Sequence, residues 1–241
     1  MGKRADGYHE LASLFHTVGY GDTLDLNIAS QDLWTADKEG LPLGTGSLLY
    51  RTVELFRQKT GWDQPIALDI QKNTPMEAGL GGGSSNAATL LWGLNELSGG
   101  QVTSETLASW GSALGADIPF FFSSGCVCCQ GKGEILCDVT MPSPKKIWLA
   151  KPLWGVATAE AFTLWGEQGT ASTAEEAENL LHLWKGGESA FYNDLERSLD
   201  AEVGPFRAFL LDNGFTTVSM TGSGSTFLCQ GTPQRLLLDD D

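Results

Sequence analysis

The stretch PMEAGLGGGSSNAATLLWGLNEL, residues 75–97, places four glycines within five residues directly before an amphipathic segment. Glycine costs backbone entropy and contributes no side-chain packing, so such a run needs a geometric reason. The run follows IALDI (66–70), which alternates like a strand, and precedes a helix predicted from about Ser84. A flexible linker is not expected between a strand and a helix. Two interpretations remain, a phosphate-binding loop and a tight structural turn.

The phosphate-binding interpretation has a direct physical basis. Glycines let backbone N–H groups approach an anion closely, and the following helix N-terminus adds unpaired donors and a partial positive charge. Ser84 and Ser85 lie where a hydroxyl can cap the helix, contact a phosphate or help to hold Mg²⁺. The motif is neither a Walker loop nor a G-x-G-x-x-G fingerprint. These features favour phosphate binding over a purely structural turn.

The composition is that of an ordinary globular chain with an acidic balance. It has 241 residues, 41% of them hydrophobic and 19% charged, with a formal net charge of −15. Such a charge argues against broad nucleic-acid or anionic-membrane surfaces, which need clustered Lys and Arg. No apolar run reaches membrane-spanning length, and MGKRADGYHE (1–10) has no hydrophobic signal core. We therefore expect a cytoplasmic protein with neither nucleic acid nor membrane as a partner.

Four of the five cysteines crowd the stretch GCVCCQGKGEILCDV, residues 125–139. A structural metal site needs spaced pairs such as C-x2-C, and that spacing is missing here. The pattern instead predicts two strands, 126–129 and 134–139, around a QGKG turn. Cysteine then acts as a small core hydrophobe.

The whole chain shows a mixed α/β organisation without internal repeats. A strand is predicted over 23–29, and helices over 47–61, with Gly61 as a stop, and around 104–114. The break MPSPKK (141–146) divides the chain into lobes predicted at 1–142 and 143–241. In the second lobe, Ser172 and Glu175 have capping-box spacing. Its last predicted elements are a helix over 206–214, strand TTVSM, loop TGSGS (221–225) and strand TFLC.

The motif PMEAGLGGGSSNAA resembles the phosphate-binding motif of the GHMP kinase superfamily. Three further stretches, KRADGYHELASLFHTVGYGDTL (3–24), LGADIPFFFSSG (114–125) and MTGSGSTFL (220–228), narrow the resemblance to one branch. Members of that branch phosphorylate a hydroxyl of a cytidine-diphosphate-linked methylerythritol in the non-mevalonate isoprenoid pathway. The resemblance covers most of the chain with interruptions, and it is weakest over 155–190.

The resemblance implies an α+β protein with the GHMP kinase fold. Its N-terminal lobe would be mixed α/β, of the ribosomal S5 domain 2-like type, and its C-terminal lobe ferredoxin-like, with the site between them. The implied ligands are ATP, Mg²⁺ and the cytidine diphosphate substrate. Carried over by position, the ATP-binding residues are Pro75, Met76, Glu77, Ala78, Gly79, Leu80, Gly81, Gly82, Gly83, Ser84 and Ser85. Ser84 or Ser85 is the candidate metal contact, and the TGSGS loop would support the glycine loop.

Asp117, in GADIP, would be the catalytic base. Without the family context, an Asp before Ile-Pro is better interpreted as the start of a turn. Phosphoryl transfer depends mainly on positioning and electrostatics, and a single carboxylate aimed at the acceptor hydroxyl meets its need. In context we therefore interpret Asp117 as the base.

Three residues would hold the cytosine of the substrate. The resemblance implies that Tyr8 stacks on the base while His9 hydrogen-bonds to its edge, and this chemistry suits an aromatic ring and an imidazole. Phe162 falls where the family supplies a second aromatic, although a core phenylalanine is almost as good an interpretation. Asn193 and Asp194 match another family position and could equally cap a helix.

One family feature has no counterpart in this sequence. A strand of the type Pro-Ala-Lys-Leu-Asn precedes RADGYH in the family, and its lysine lies beside the catalytic aspartate. Lys3 is too close to Tyr8 to be that lysine, and no other stretch resembles the strand. A late start site, a fragment or a lysine-free variant would each explain this. Two alternative functions therefore stay open, another GHMP small-molecule kinase and a binding-only fragment.

Overall fold

The structure is a computed structural model, and it describes residues 11–131, 133, 135–140, 146–168, 172–185 and 191–234. The described residues form two compact units. The N-terminal unit comprises residues 11–75 and 81–139, and the C-terminal unit comprises 76–80 and 140–234. The first part of the glycine loop is thus grouped with the C-terminal unit. The division predicted after residue 142 stays a prediction.

Two three-stranded sheets form the framework of the N-terminal unit. Its strands are β1 (Leu11–His16), β2 (Thr23–Ile28), β3 (Leu33–Ala36), β4 (Ile66–Gln71), β5 (Cys126–Gly131) and β6 (Ile135–Asp138). One sheet is antiparallel in the order β1-β5-β6, and the other has the order β2-β4-β3, with only β3 parallel to β4. The two predicted strands around QGKG are therefore confirmed as a hairpin, β5–β6.

The described part of this unit also contains three helices and a 3-10 turn: α1 (Leu48–Thr60), α2 (Gly82–Leu97), α3 (Ser104–Gly111) and the turn Ile118–Phe122. The Ser47 hydroxyl caps α1 by accepting from the Tyr50 N–H. Gly61, with φ 72°, ends α1 as predicted, because glycine adopts the left-handed conformation without steric cost. The apolar faces of α1 and α2 bury Val53, Phe56 and three leucines of α2 against β4.

Helix α2 begins two residues earlier than the sequence predicted. Gly81 forms its N-cap with φ 66°, and Gly82 and Gly83 are already helical. The glycine run is thus shared between a left-handed turn and a first helical turn, and propensity alone does not reveal this division. The amphipathic character of the segment agrees with the burial of Ala87, Leu90, Leu91 and Leu94.

In its described residues, the C-terminal unit contains an antiparallel sheet and four helices. The strands are β7 (Trp148–Ala150), β8 (Phe215–Met220) and β9 (Phe227–Gly231), in the order β7-β9-β8. The helices are α4 (Thr158–Gln168), α5 (Ala174–Lys185), α6 (Asp194–Ser198) and α7 (Asp200–Asp212). A separate core forms around Val203, Val218 and Phe227. Helices and strands are mixed in both units, which confirms the predicted α+β class.

The capping box of α5 is displaced by one residue from its predicted position. The Glu176 N–H donates to the Thr173 hydroxyl, and the Thr173 N–H donates to the Glu176 carboxylate at 2.7 Å. Ser172 instead donates its hydroxyl to Asp194 at 2.9 Å. Ser172-Glu175 and Thr173-Glu176 have the same spacing, so the spacing rule could not separate them.

Among the described residues, no helix combines the length and the apolar character that crossing a bilayer requires. The same residues contain no group of three or more His, Cys, Asp or Glu side chains placed to hold a metal ion.

Candidate active site

The glycine loop, residues 75–85, turns through three left-handed residues before α2 begins. These are Glu77 at φ 51°, Gly79 at φ 66° and Gly81 at φ 66°. Gly81 gives α2 no side-chain cap. The first N–H groups of a helix have no acceptor inside the helix, and the helix dipole adds positive charge there. The start of α2 therefore meets the physical requirements of an anion site.

The first part of the loop packs against TGSGS (221–225) within the C-terminal unit. The Thr226 N–H donates to the Ala78 carbonyl at 3.2 Å, and the Thr221 hydroxyl donates to the Gly79 carbonyl at 3.4 Å. Asn193 stabilises the TGSGS loop, because its side-chain amide donates to the carbonyls of Met220 (2.7 Å) and Gly222 (2.8 Å). Asn193 also caps α6. The expected support of the glycine loop by TGSGS is thus present as hydrogen bonds.

Replacing Gly79 with Ala should lower the melting temperature. An added Cβ would overlap the Thr221 carbonyl oxygen and lie 2.8 Å from the Gly224 nitrogen, both of them backbone atoms. The left-handed conformation itself costs an L-residue about 1–2 kcal/mol. Gly83→Ala is the matched control, because its Cβ would meet nothing nearer than Leu48 Cδ2 at 3.9 Å. Equal thermal unfolding curves for the two variants would contradict the proposed close fit of Gly79.

A buried charged cluster lies directly beneath Gly82. We call it the Asp22 cluster; it consists of Asp22, Lys72, Asn73, Thr74 and Asn86. The Asp22 carboxylate accepts from the Lys72 ammonium (2.6 Å), the Asn86 amide (2.8 Å) and the Thr74 hydroxyl (2.7 Å). It also accepts from the Asn73 and Thr74 N–H groups at 2.9 and 2.7 Å. The cluster joins the residue before β2, the end of β4 and the first turns of α2.

The Asp22 cluster satisfies its own buried charges. The Asp22 and Lys72 side chains are 0% and 5% exposed. The Lys72 ammonium also donates to the Thr74 carbonyl at 2.7 Å and to the Thr74 hydroxyl. Burial alone would raise the pKa of Asp22, but hydrogen bonds from Lys72, Thr74 and Asn86 together lower it below its ordinary value. Asp22 is therefore an ionised anchor for the start of α2.

Position 82 requires glycine because there is no space for a side chain there. A Cβ at Gly82 would lie 2.7 Å from the Thr74 hydroxyl and 3.4 Å from the Lys72 ammonium. The side-chain direction at this position thus points into the Asp22 cluster. A larger residue would disturb the packing beneath the loop rather than project above it.

Asp117 stands immediately before the 3-10 turn Ile118–Phe122. Asp117 is an exposed residue, yet the protein atoms around its carboxyl group desolvate that group, and this desolvation raises its pKa. Gly133, in the turn of the β5–β6 hairpin, lies beside the Asp117 carboxyl group. A Cβ at Gly133 would lie 3.8 Å from Asp117 Oδ1. A carboxyl group with a raised pKa on an exposed residue has the properties of a general base.

The structure brings the turn that carries Asp117 next to the start of α2. A Cβ built on Gly115 would lie 4.0 Å from the Ser84 hydroxyl, and one built on Gly81 would lie 3.2 Å from the Phe121 ring. The start of the helix and the candidate base are therefore neighbours within one compact unit. The sequence singled out the two motifs separately, and the structure brings the two segments together.

The predicted cytosine-binding residues are not brought together by the described part of the chain. Tyr8 and His9 lie outside the described residues. Phe162 is half-buried on α4. Their assignments stay predictions. Sequence reasoning also missed the Asp22 cluster, because nothing in the sequence pairs Asp22 with Lys72, 50 positions away.

Comparisons with known proteins agree with this geometry. Residues 47–125 match the GHMP kinases N terminal domain. A crystal structure of 4-(cytidine 5'-diphospho)-2C-methyl-D-erythritol kinase superposes with a TM-score of 0.76 at 30% identity, covering 94% of this chain and 83% of that one. Homoserine kinase from Cytophaga hutchinsonii has a TM-score of 0.71 at 19% identity and shares the fold. The fold and the glycine loop thus define a GHMP kinase and confirm the predicted fold.

Sequence relatives narrow the class further. The 4-diphosphocytidyl-2-C-methyl-D-erythritol kinase of Protochlamydia amoebophila is 44% identical over 237 residues, covering 97% of this chain and 80% of that protein. The chloroplastic 4-diphosphocytidyl-2-C-methyl-D-erythritol kinase of Arabidopsis thaliana is 38% identical, covering 100% of this chain and 66% of that protein. The chain belongs to the family of 4-diphosphocytidyl-2-C-methyl-D-erythritol kinases.

Proposed function

We propose that this chain transfers the γ-phosphoryl group of ATP to a hydroxyl of 4-diphosphocytidyl-2-C-methyl-D-erythritol. The observation that carries the proposal is the placement of Asp117, an exposed residue whose carboxyl group has a raised pKa, beside the uncapped start of α2. Phosphoryl transfer needs a phosphate cradle and a carboxylate to receive the acceptor proton, and this unit holds a candidate for each. The relatives named above support the substrate.

In this mechanism, the glycine loop holds the ATP phosphates chiefly through backbone N–H groups. Asp117 accepts the proton of the attacking hydroxyl as the new P–O bond forms, and ADP leaves. Its raised pKa brings the carboxylate closer to the pH at which it works, which improves a general base. The Asp22 cluster fixes the first turn of α2, so that the cradle is preorganised and does not have to form around the ligand.

The Ser84 and Ser85 hydroxyls fit Mg²⁺, a hard cation that prefers oxygen ligands and keeps several waters. When bound with ATP, Mg²⁺ would supply charge neutralisation at the phosphates. Both serines lie in the first turn of α2, where the loop would also hold the phosphates.

The acceptor would be held through its cytosine by Tyr8 and His9, with Phe162 as the second aromatic. Tyr8→Ala should weaken acceptor binding by about 1–3 kcal/mol, the usual scale of base–aromatic stacking, and leave ATP binding almost unchanged. Isothermal titration with each ligand separately would measure both effects. If a polyol phosphate without cytidine competed as well as the full acceptor, this assignment would be wrong.

The function itself is tested with the purified chain, ATP and a panel of acceptors that includes homoserine and mevalonate. We expect one phosphoryl group on 4-diphosphocytidyl-2-C-methyl-D-erythritol, detected by mass spectrometry, and none on the other two acceptors. Phosphorylation of another acceptor would identify a different GHMP kinase. ATP binding without transfer to any acceptor would instead make the chain a binding-only protein.

We also propose that the reaction takes place in a reducing compartment, such as the cytoplasm. All five cysteines are thiols and none forms a disulfide, although four of them lie on one hairpin or at its edge. Reduced thiols are the normal state inside cells. Fractionation of source cells, with the chain detected by antibody, would test this proposal.

A further inference from the structure

The β5–β6 hairpin places two cysteines opposite each other. Cys128 pairs with Cys137 in the antiparallel register. Two residues along, the Val139 N–H donates to the Cys126 carbonyl at 3.0 Å. Because hydrogen-bonded and non-hydrogen-bonded pairs alternate, Cys128 and Cys137 also form a hydrogen-bonded pair, for which the Cα separation is about 5.5 Å. Disulfides span about 4.4–6.8 Å between Cα atoms, so this pair lies within reach of a bond.

The two cysteines differ from the others in exposure. Cys126, Cys129 and Cys229 are buried, whereas Cys137 is exposed and Cys128 is half-buried. Directly opposed residues of a sheet point to the same face. A reagent that reaches Cys137 from solvent is therefore next to the second thiol.

We propose that Cys128 and Cys137 form a reversible dithiol–disulfide site that reacts with small disulfides of the glutathione class. The Cys137 thiolate attacks one sulfur of the small disulfide and releases one small thiol. The Cys128 thiolate then attacks the Cys137 sulfur and releases the second. The protein pair loses two electrons and two protons, and the small disulfide is reduced to two thiols.

The geometry favours a reversible bond over a permanent structural one. Opposed Cβ atoms are up to about 5.5 Å apart, and the value is smaller in non-hydrogen-bonded pairs. A disulfide needs about 3.5–4.5 Å between them. Closing the bond therefore requires the hairpin to twist, and strained or exposed disulfides are the easily reduced ones.

Twisting of the hairpin would also displace its turn, which lies next to the proposed base Asp117. The Cys129 thiol donates to the Gly133 carbonyl at 3.2 Å. A Cβ at Gly133 would lie 3.5 Å from Ala116 Cβ and 3.8 Å from Asp117 Oδ1. A displacement of about 1 Å at a catalytic group can cost roughly 10²-fold in rate. We therefore expect oxidation to slow turnover by up to about that factor. This second effect rests on the proposed function, and formation of the disulfide does not.

The test incubates the full chain with mixtures of oxidised and reduced glutathione. We expect loss of two hydrogen atoms from the intact mass, reversed by dithiothreitol. Trypsin cleaves after Lys132, between the two strands, so the link should join two peptides under non-reducing conditions. Cys128→Ala and Cys137→Ala should abolish the link, and the matched control Cys126→Ala should keep it.

Turnover is measured on the same samples. A link between residues 128 and 137, together with a loss of turnover that both single variants resist, would support the whole proposal. Absence of the link in the folded chain, or its appearance only in denaturant, would overturn the site. A link that leaves turnover unchanged would overturn the coupling to Asp117. A link in a chain with no kinase activity would count against the proposed function alone.

Discussion

Asp117→Asn should lower the turnover number by about 10²–10⁴-fold, the usual contribution of a positioned general base. The amide keeps the shape of the side chain but cannot accept the proton of the acceptor hydroxyl. The affinity for ATP should stay almost unchanged, because the proposed cradle is built from backbone groups. Steady-state kinetics with both substrates varied would separate the two effects. Asp25→Asn, on the exposed edge strand β2, is the matched control and should be silent.

The pH dependence of turnover gives an independent test of Asp117 as the general base. Burial raises the pKa of Asp117, so the active carboxylate form appears only as the pH rises through that raised value. Turnover should therefore fall on the acid side at a pH above about 3.9, the ordinary value for Asp. This acid limb should vanish in Asp117→Asn. Retention of most of the turnover, with an unchanged acid limb, would exclude Asp117 as the base.

Asp22→Asn should lower the free energy of unfolding by about 3–5 kcal/mol, because it leaves the buried Lys72 ammonium without its counter-charge. The remaining hydrogen bonds of Lys72 to Thr74 do not neutralise that charge. Denaturant unfolding at neutral pH would measure the loss. The double variant Asp22→Asn with Lys72→Met removes both charges and should recover part of the stability.

Two controls make the Asp22 prediction specific. Asp32 likewise forms an ion pair, with Arg57 at 2.8 Å, but the Asp32 side chain is 40% exposed. Asp32→Asn should therefore cost only about 0–1 kcal/mol, as exposed pairs do. The pKa of Asp22 is lowered in the folded chain, so its contribution is fully present above about pH 3.9 and is lost as the pH falls through the lower folded value. Equal losses for Asp22→Asn and Asp32→Asn would contradict the buried-pair account.

The elements that the sequence predicted well share one property, a strong local signal. The helix from Leu48 has an apolar face, a serine cap and a terminal glycine, and the observed bounds agree with these signals. The roles of the glycine loop and Asp117 also rest on motifs of contiguous residues, and they stay predictions. The structure places the turn that carries Asp117 beside the start of α2, which no local pattern could have shown.

The features that sequence reasoning missed depend on partners distant in the chain or on near-equivalent choices. Asp22 meets Lys72 only because β2 and β4 pair with each other. The capping box of α5 is formed by Thr173 and Glu176, while the Ser172 hydroxyl donates to Asp194, which is distant in the chain. The start of α2 moved because glycine is compatible with both a left-handed turn and a helix. The first two features depend on tertiary contacts, and the third depends on the conformational freedom of glycine.

The uncapped start of α2 has a thermodynamic consequence for ligand discovery. A helix whose first residue is preceded by Gly81, without a side-chain acceptor, is incomplete until an anion occupies its N-terminus. The proposed nucleotide would thus complete the helix as well as react on it. A ligand at 100 times its Kd stabilises the folded state by about 2.7 kcal/mol through mass action. Small anionic compounds that replace the missing cap should therefore raise the melting temperature, and a thermal-shift screen could find them without an assay of phosphoryl transfer.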